Sequence, residues 1–331
     1  MKTIFSSAID HFKFYDWTIY TMNAVLMFSG QGTQHPGMME DLFETYGQAN
    51  EVFDKASALL GRNIYSITMN STQEKLDRTE NTQPCLLACE LAALRVLQSL
   101  EIPYEAVLGF SLGEWAALVA SGAATEETVL GLIGKRAEAM QNAVLAGAGG
   151  MAVILGKDAD FVSDLCQKIG GIAPSNYNCP GNITVAGAAA SVDRLLEMAA
   201  EQGIMASRVA VSIPSHCALM EPAVRELRPL VEAAALRDPQ VDLAMNATGR
   251  PALDAAEIKE NLIRQLSHPV LFQQSIEYLL GEGCDTFVEI GPGKTLSGMV
   301  KRTAKQAGKK VQTFQFNSLE SVEKVRSSLL Q

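Results

Sequence analysis

One strand-to-helix turn constrains this chain more than any other feature. The apolar run Ala106-Val107-Leu108 is typical of a buried strand, Gly109-Phe110-Ser111-Leu112-Gly113 follows it, and Glu114 to Ala120 has a helical pattern. A serine on such a turn presents its hydroxyl at the sheet edge, and the glycines allow the backbone to crowd there. The Leu112 amide then lies at a helix N-terminus, where it can stabilise an oxyanion. The strand-turn-helix context favours Ser111 as a nucleophile. The alternative interpretation is that the motif is only five common residues at the end of a strand.

A second apolar run ends in another glycine-flanked loop. Ala24–Phe28 is typical of a buried strand, and Gly30-Gln31-Gly32 follows it. Glycines on both sides of Gln31 allow its backbone to approach a ligand closely. Gln31 is therefore a candidate second oxyanion donor, and a simple tight turn is the alternative. The loop lacks the Gly-Lys-Ser/Thr ending of a phosphate-binding loop.

The middle of the chain has the element order of a ferredoxin-like unit. The pattern predicts β-α-β-β-α-β between about Met151 and Ser212, with the last strand at Ser207–Val211. Helical patterns and apolar strands surround this unit on both sides, and Pro84 is expected to interrupt the helical stretch before the serine turn. Ala146–Gly150 is rich in glycine and is the strongest candidate boundary.

These patterns predict an α/β fold with two subdomains. A large subdomain with a mostly parallel sheet is expected to comprise residues 22–148 and 213–310, and a ferredoxin-like small subdomain, residues 149–212, is inserted in it. We expect residues 1–21 to form a weakly ordered N-terminal extension and residues 311–331 to form a C-terminal tail.

Composition excludes several classes of function. The 331 residues are 47% apolar, which is enough for a sizeable core, and the formal net charge of −10 disfavours non-specific binding of nucleic acid. No apolar stretch is long enough to span a membrane. The six cysteines have neither Cys-x-x-Cys nor metal-site spacing. We therefore expect no nucleic-acid or membrane partner, no metal, and the reduced thiols of a cytoplasmic protein.

An activated serine needs a base, and the chain has four histidines. His216 follows Ser212–Ser215, where the chain would return from the insertion, so it is the best candidate. His268 is its competitor, His35 has no obvious orienting partner, and His11 lies in the N-terminal extension. No acid near His216 recommends itself as a third catalytic member, but a backbone carbonyl can orient the imidazole instead.

Arg136 is the candidate for binding a substrate anion. It lies 25 residues beyond Ser111, on the helix after the turn helix. A guanidinium there can hold a carboxylate in a bidentate pair. The alternative is a solvated arginine on a helix surface.

Five segments together resemble the malonyl-CoA:acyl carrier protein transacylases. They are Gly30-Gln31-Gly32-Thr33-Gln34, Gly109-Phe110-Ser111-Leu112-Gly113-Glu114, Asn176-Tyr177-Asn178-Cys179-Pro180-Gly181, Val211 to Met220 and Glu289-Ile290-Gly291-Pro292-Gly293-Lys294. The resemblance extends from about Met22 to about Lys305, and five shared motifs are far more specific than one. It implies an α/β-hydrolase-like large subdomain, a ferredoxin-like insertion and an active site between them.

The resemblance also implies the roles of individual residues. Ser111 is similar to the family's nucleophile, and His216 is similar to its general base. Arg136 matches the arginine that pairs with the malonyl carboxylate. Gln31 and Leu112 match the backbone donors of the oxyanion hole.

Two further positions follow from the resemblance. Gln265 falls where the family orients its histidine through a main-chain carbonyl, which supplies the missing third member. Phe110 stands where most members have histidine. This departure leaves Ser111 and His216 intact, and it bears on acyl-group fit or rate.

The implied activity is transfer of a malonyl group from malonyl-CoA to the phosphopantetheine thiol of an acyl carrier protein, through a malonyl-serine, in fatty acid or polyketide biosynthesis. No bound cofactor is expected, because coenzyme A enters as a thioester substrate and phosphopantetheine belongs to the carrier. We expect a cytoplasmic monomer. The alternatives are a serine esterase or thioesterase, and a non-catalytic carrier-docking protein that kept the fold.

Docking of a carrier requires a local basic surface, because carrier proteins are usually acidic and this chain is acidic too. The densest basic cluster lies near the end of the region of resemblance. It comprises Lys301, Arg302, Lys305, Lys309 and Lys310. A solvated helix end is the alternative interpretation of this cluster.

Overall fold

The structure, a computed structural model, describes residues 24–211 and 213–330. The expected N-terminal extension, residues 1–21, lies outside these described residues. The strands are β1 (Ala24–Phe28), β2 (Ala106–Gly109), β3 (Gly149–Leu155), β4 (Ile172–Cys179), β5 (Asn182–Ala188), β6 (Met205–Arg208), β7 (Asp242–Met245), β8 (Arg250–Pro251), β9 (Thr286–Ile290) and β10 (Gln312–Phe316).

Helices cover both subdomains. They are α1 (Glu40–Thr45), α2 (Asn50–Leu60), α3 (Ile64–Asn70), α4 (Gln73–Leu76), α5 (Thr79–Ser99), α6 (Glu114–Ala120), α7 (Glu126–Asn142), α8 (Ala159–Ile169), α9 (Ala189–Glu201), α10 (Glu221–Ala233), α11 (Ala255–Gln265), α12 (Phe272–Gly281), α13 (Thr295–Gln306) and α14 (Leu319–Leu329). None of the helices in the described part of the chain is long and apolar enough to cross a membrane.

The large sheet places three loops at one edge. Its strand order is β10-β9-β1-β2-β7-β8, and every pairing except that of β7 with β8 is parallel. Strands β1, β2 and β9 are apolar or nearly so and are fully buried, as expected when helices cover both faces of a parallel sheet. The carboxyl ends of parallel strands meet at one edge, so Gln31, Ser111 and Asn246 all follow strands that end there.

The inserted unit is an antiparallel sheet covered by two helices. Its strand order is β4-β5-β3-β6, with α8 and α9 as the connecting helices. The two sheets confirm the predicted α/β class with a ferredoxin-like insertion. One edge of the small sheet is joined to the large subdomain, because Tyr177 N donates to Val270 O at 2.9 Å and Val270 N donates to Ser175 O at 2.9 Å.

The predicted C-terminal tail, residues 311–331, is wrong in its described part. Residues 312–316 form β10, which pairs in parallel with β9 from Gln312 opposite Thr286 to Phe316 opposite Ile290. The following helix α14 packs on the core through residues that include the fully buried Val325. Strand β10 is only partly buried and lies at the edge of the large sheet, so this segment completes the large subdomain.

Two other expectations need correction. Pro84 does not interrupt the helical stretch, because it lies inside the continuous helix α5. A proline cannot donate to the carbonyl of Glu80 four residues earlier, and the guanidinium of Arg62 donates to that carbonyl instead. The last small-subdomain strand is Met205–Arg208 rather than Ser207–Val211. This edge strand is mostly exposed, so no buried alternation marked its ends.

Candidate active site

Ser111 lies on a strained turn between β2 and α6. Its φ is 54°, a left-handed backbone conformation that is uncommon for a residue other than glycine. Glycine is required on both sides for steric reasons. A Cβ at Gly109 would lie 2.0 Å from the amide nitrogen of Glu114, and one at Gly113 would lie 2.2 Å from the carbonyl oxygen of Phe28. The Gly-x-Ser-x-Gly pattern therefore follows from crowding of the backbone around the serine.

His216 is the histidine that contacts the serine. Its Nε2 lies 2.7 Å from Ser111 Oγ, and its Nδ1 lies 2.7 Å from the carbonyl oxygen of Gln265. A carbonyl oxygen only accepts hydrogen bonds, so Nδ1 carries the proton and Nε2 accepts from the serine hydroxyl. The competing candidates, His35 and His268, are both exposed, and their rings contact nearby backbone carbonyls, those of Pro36 and Arg264.

Burial keeps the His216 imidazole neutral. Burial is the main cause that lowers the pKa of His216 to about 4; the Gln265 carbonyl opposes this shift, and the nearby Arg136 cation adds to it. A neutral imidazole at neutral pH can accept the proton of Ser111. His216 can therefore serve as a general base without prior deprotonation.

Arg136 reaches the serine from α7. Its Nη2 lies 3.3 Å from Ser111 Oγ and donates to Gln265 Oε1 at 2.9 Å, and its Nη1 donates to Gln83 Oε1 at 2.7 Å. Burial lowers the pKa of Arg136 to about 10, opposed by the negative charge of Glu114, so the side chain remains a cation at neutral pH. The two glutamines fix the plane of this guanidinium beside the nucleophile.

Gln265 connects the base to the nucleophile. Its main-chain carbonyl accepts from His216, as described above, and its side-chain Nε2 donates to Ser111 O at 2.8 Å and to Glu114 Oε2 at 2.6 Å. One buried residue at the end of α11 thus orients the imidazole and also holds the backbone of the serine.

Gln31 and Leu112 lie on neighbouring loops at the carboxyl edge of the sheet. Phe28, the last residue of β1, pairs with Gly109, the last residue of β2, so the loops that carry Gln31 and Leu112 start side by side. Leu112 is in the first turn after Ser111, and its side chain is buried. The Gln31 side chain donates to Thr79 Oγ1 at 3.3 Å, which ties its loop to the start of α5.

Phe110 packs beside this loop. Its ring meets Phe272 edge to face with centroids 5.4 Å apart. A Cβ at Gly30 would lie 2.7 Å from Phe110 Cδ1, so glycine is needed there. The aromatic residue before the serine is therefore accommodated by an apolar contact from α12 and by the absence of a side chain at position 30.

Sequence reasoning missed three polar residues around the serine. Glu114 accepts from Asn246 N at 2.5 Å through Oε1 and from Gln265 through Oε2, and Gln83 holds Arg136. Burial raises the pKa of Glu114, whereas the two donors and the Arg136 cation favour its carboxylate form. The signal that would have found Asn246 is a polar residue directly after a buried parallel strand, β7.

Comparison with known proteins identifies the family of this chain. The profile of a family described as "Acyl transferase domain" matches residues 25–322. The chain belongs to the acyl transferase domain family. A malonyl CoA-acyl carrier protein transacylase of Bacillus subtilis is 38% identical over 302 residues, which are 90% of this chain and 94% of that protein.

Solved structures of similar proteins also cover nearly the whole acyl transferase. A malonyl CoA-acyl carrier protein transacylase from Coxiella burnetii is 32% identical, with a TM-score of 0.90 over 94% of this chain and 98% of that one. A malonyl-transacylase in complex with its type II PKS acyl-carrier protein is 32% identical, with a TM-score of 0.88 over 92% and 99%. The resemblance inferred from the five sequence motifs is confirmed.

Proposed function

We propose that this acyl transferase moves a malonyl group from malonyl-CoA to the phosphopantetheine thiol of an acyl carrier protein, through an ester on Ser111. One observation carries the proposal. The Ser111 hydroxyl lies 2.7 Å from the base His216 and 3.3 Å from the cation Arg136. The names of the similar transacylases support the same reaction.

The first half-reaction esterifies the serine. His216 Nε2 takes the proton as Ser111 Oγ attacks the thioester carbon, and the amides of Gln31 and Leu112 stabilise the oxyanion. The Gln265 carbonyl stabilises the imidazolium that forms. The carbon–sulfur bond then breaks, and coenzyme A leaves with the proton that His216 returns to its sulfur.

The second half-reaction reverses these roles. His216 takes the proton of the carrier thiol, whose sulfur attacks the malonyl ester carbon, and Ser111 leaves with the proton that the imidazole returns. Arg136 pairs with the malonyl carboxylate throughout, which orients the acyl group towards the serine. Every group that these steps use comes from this chain or its substrates, so we propose that no resident cofactor takes part.

Covalent labelling tests the proposal. Incubation with radioactive malonyl-CoA is expected to label the unchanged protein and to release one equivalent of coenzyme A in a burst. Ser111→Ala is expected to lose both signals, because the ester oxygen is missing. Ser327→Ala is the matched control, since that serine lies on α14 and its hydroxyl donates to Lys324 O of the same helix. Persistent labelling of Ser111→Ala would refute the assignment.

The proposed carrier-docking surface is a basic groove between the subdomains. A groove of about 1250 Å³ is lined by α12, α13 and the small subdomain. Its cations are Lys157, Lys301, Arg302 and Lys305, and they outnumber its two aspartates, Asp158 and Asp160. No ion pair in the described part of the chain involves the three α13 cations. They remain available to the acidic surface of a carrier.

Charge reversal tests whether the basic cluster docks a carrier or is only a solvated helix end. The double variant Lys301→Glu/Arg302→Glu is expected to raise the KM for the carrier about tenfold and to leave the KM for malonyl-CoA unchanged. Lys309→Glu/Lys310→Glu is the control, because these two lysines belong to the same cluster but do not line the groove. Equal KM values for the carrier in both double variants would contradict this docking site.

We also propose that the protein acts in the cytoplasm. All six cysteines are unpaired and buried, which is the state expected of thiols in a reducing compartment. Fractionation of the cells that express the protein tests this location, and recovery in a secreted fraction would contradict it.

A further inference from the structure

Asn246 uses both polar atoms of its side chain at the serine turn. It follows β7 directly and is fully buried. Its side-chain Oδ1 accepts from Ser111 N at 2.7 Å, and its side-chain Nδ2 donates to Gly109 O at 2.7 Å. The two partners settle the orientation of the amide, because one can only donate and the other can only accept.

We propose that Asn246 is a positioning residue that holds Ser111 in its reactive backbone conformation. The left-handed φ of 54° costs Ser111 roughly 1 kcal/mol, so the turn persists only where its surroundings enforce it. The Asn246 amide spans the turn from Gly109 to Ser111 and fixes the peptide groups on both sides of Phe110.

This amide continues the sheet beyond its last backbone pair. The ladder of β2 with β7 ends where Leu108 lies opposite Ala244. Beyond this pair, the Gly109 carbonyl and the Ser111 amide bond to the Asn246 side chain instead of to the backbone of β7. The Asn246 side chain satisfies both of them, which an apolar side chain at this position cannot do.

The backbone of Asn246 is itself held from two sides. Its N–H donates to Glu114 Oε1 at 2.5 Å, and its carbonyl accepts from Leu271 N at 2.8 Å. Leu271 follows Val270, which pairs with β4 of the small subdomain. The position of this asparagine is thus set by the turn helix α6 and by the segment that joins the two subdomains.

Asn246 and Gln265 act on opposite peptide groups of the serine. Asn246 accepts from the Ser111 N–H, and Gln265 donates to the Ser111 carbonyl. The structure gives Asn246 no hydrogen bond to the Ser111 hydroxyl or to the His216 ring among the described residues. It therefore acts through the backbone of the nucleophile and not on the reacting atoms.

The test uses Asn246→Asp, which keeps the shape and the acceptor but replaces the donor to Gly109 O with an oxygen. Single-turnover esterification by malonyl-CoA is expected to slow about 100-fold, because a displacement of the nucleophile of about 1 Å has an effect of that size. Labelling by an uncharged fluorophosphonate is expected to slow by a similar factor. Asn246→Ala, which loses both bonds, is expected to be slower still. Rates are measured per mole of folded protein.

Thr68→Val is the matched control. It removes the buried hydrogen bond from Thr68 Oγ1 to Ile64 O at 2.8 Å, on α3 and outside the turn. Its thermal unfolding is expected to resemble that of Asn246→Asp, and its two labelling rates are expected to stay unchanged. Malonyl-CoA affinity, measured in the Ser111→Ala background, is expected to be the same with Asn246 and with Asp at this position.

The inference rests on the proposed acyl-serine, and the outcomes separate the two. Absence of malonyl-serine in the unchanged protein would overturn the proposed function. Normal esterification of the unchanged protein with less than a tenfold loss in Asn246→Asp would overturn only the role of Asn246. A loss with malonyl-CoA but not with the fluorophosphonate would also overturn it, because Asn246 would then act on the acyl group.

Discussion

Two strand-to-helix turns of the large subdomain resemble each other, yet only one of them holds a nucleophile. The first, Gly109–Gly113, joins β2 to α6, and the second, Gly291–Lys294, joins β9 to α13. Each follows a buried parallel strand, and each has a buried glutamate that accepts two N–H bonds. These glutamates are Glu114 and Glu289.

The turns differ in which residue has the positive φ and in which segments supply the N–H donors to the glutamate. In the second turn, positive φ falls on Gly291 and Gly293, where it costs little. Glu289 accepts from Leu296 N and Ser297 N of the next helix, so it caps α13. In the first turn, Ser111 bears the strain and the donors to its glutamate come from distant segments. The functional turn therefore differs in having backbone strain at a non-glycine residue. Contacts from distant segments enforce this strain.

Among changes at the first turn, loss of the base His216 is expected to lower the esterification rate most. In His216→Ala the serine has no proton acceptor, so single-turnover esterification is expected to fall about 10⁴-fold or more. Lys294→Ala is the corresponding change at the second turn, where the side chain is exposed, and its rate is expected to stay unchanged. A similar loss in both variants would remove the distinction between the turns.

Loss of the cation is expected to change acyl selectivity. Arg136→Ala removes the partner of the malonyl carboxylate, worth about 3 kcal/mol, so kcat/KM for malonyl-CoA is expected to fall roughly 100-fold. The same change should affect acetyl-CoA much less, because acetyl has no carboxylate. Measuring both substrates gives the ratio directly, and an unchanged ratio would contradict the pairing.

Substitution of the two glutamates is expected to have smaller effects on stability and on the esterification rate. Glu114→Gln and Glu289→Gln each keep the shape but replace one acceptor with a donor. Each is expected to lower the free energy of unfolding by about 2 kcal/mol. Only Glu114→Gln is expected to slow esterification, by about tenfold, because its bonds hold Asn246 and Gln265. Chemical denaturation and labelling kinetics measure the two effects. Slower esterification in both variants would show that the two glutamates do not differ in function.

The pH dependence is the smallest expected effect. Burial lowers the pKa of His216 to about 4, so the imidazole stays neutral and active between about pH 7 and pH 5. The esterification kcat/KM is expected to change by less than about twofold over this range and to fall only as pH approaches 4. A fall centred near the ordinary pKa of histidine, about 6.5, would show an exposed base.

The sequence predicted the parts of the site that are encoded locally. The strand, the glycines, Ser111 and the helix after it are adjacent in the chain, so their pattern was sufficient. Gln265 was found only through the resemblance, and Asn246 not at all, because they meet the serine across 154 and 135 residues. Contacts over such separations depend on the order of strands in the sheet, which no local pattern contains.

The same limit applies to the fold. The βαββαβ order of the small subdomain was visible because its elements are consecutive and clearly patterned. The edge strand β10 was missed for two reasons. A whole helix, α13, separates it in the chain from its partner β9, and only Phe316 of β10 is buried. Pro84 was misinterpreted because the residue that compensates for it, Arg62, lies in the loop between α2 and α3.

The most direct measurement is the mass of the peptide that contains Ser111 after the protein is mixed with malonyl-CoA and then with a carrier protein. This peptide is expected to gain one malonyl group in the first step and to lose it to the phosphopantetheine thiol of the carrier in the second. A malonyl group on any other residue, or discharge to water without transfer to the thiol, would refute the proposed transfer through Ser111.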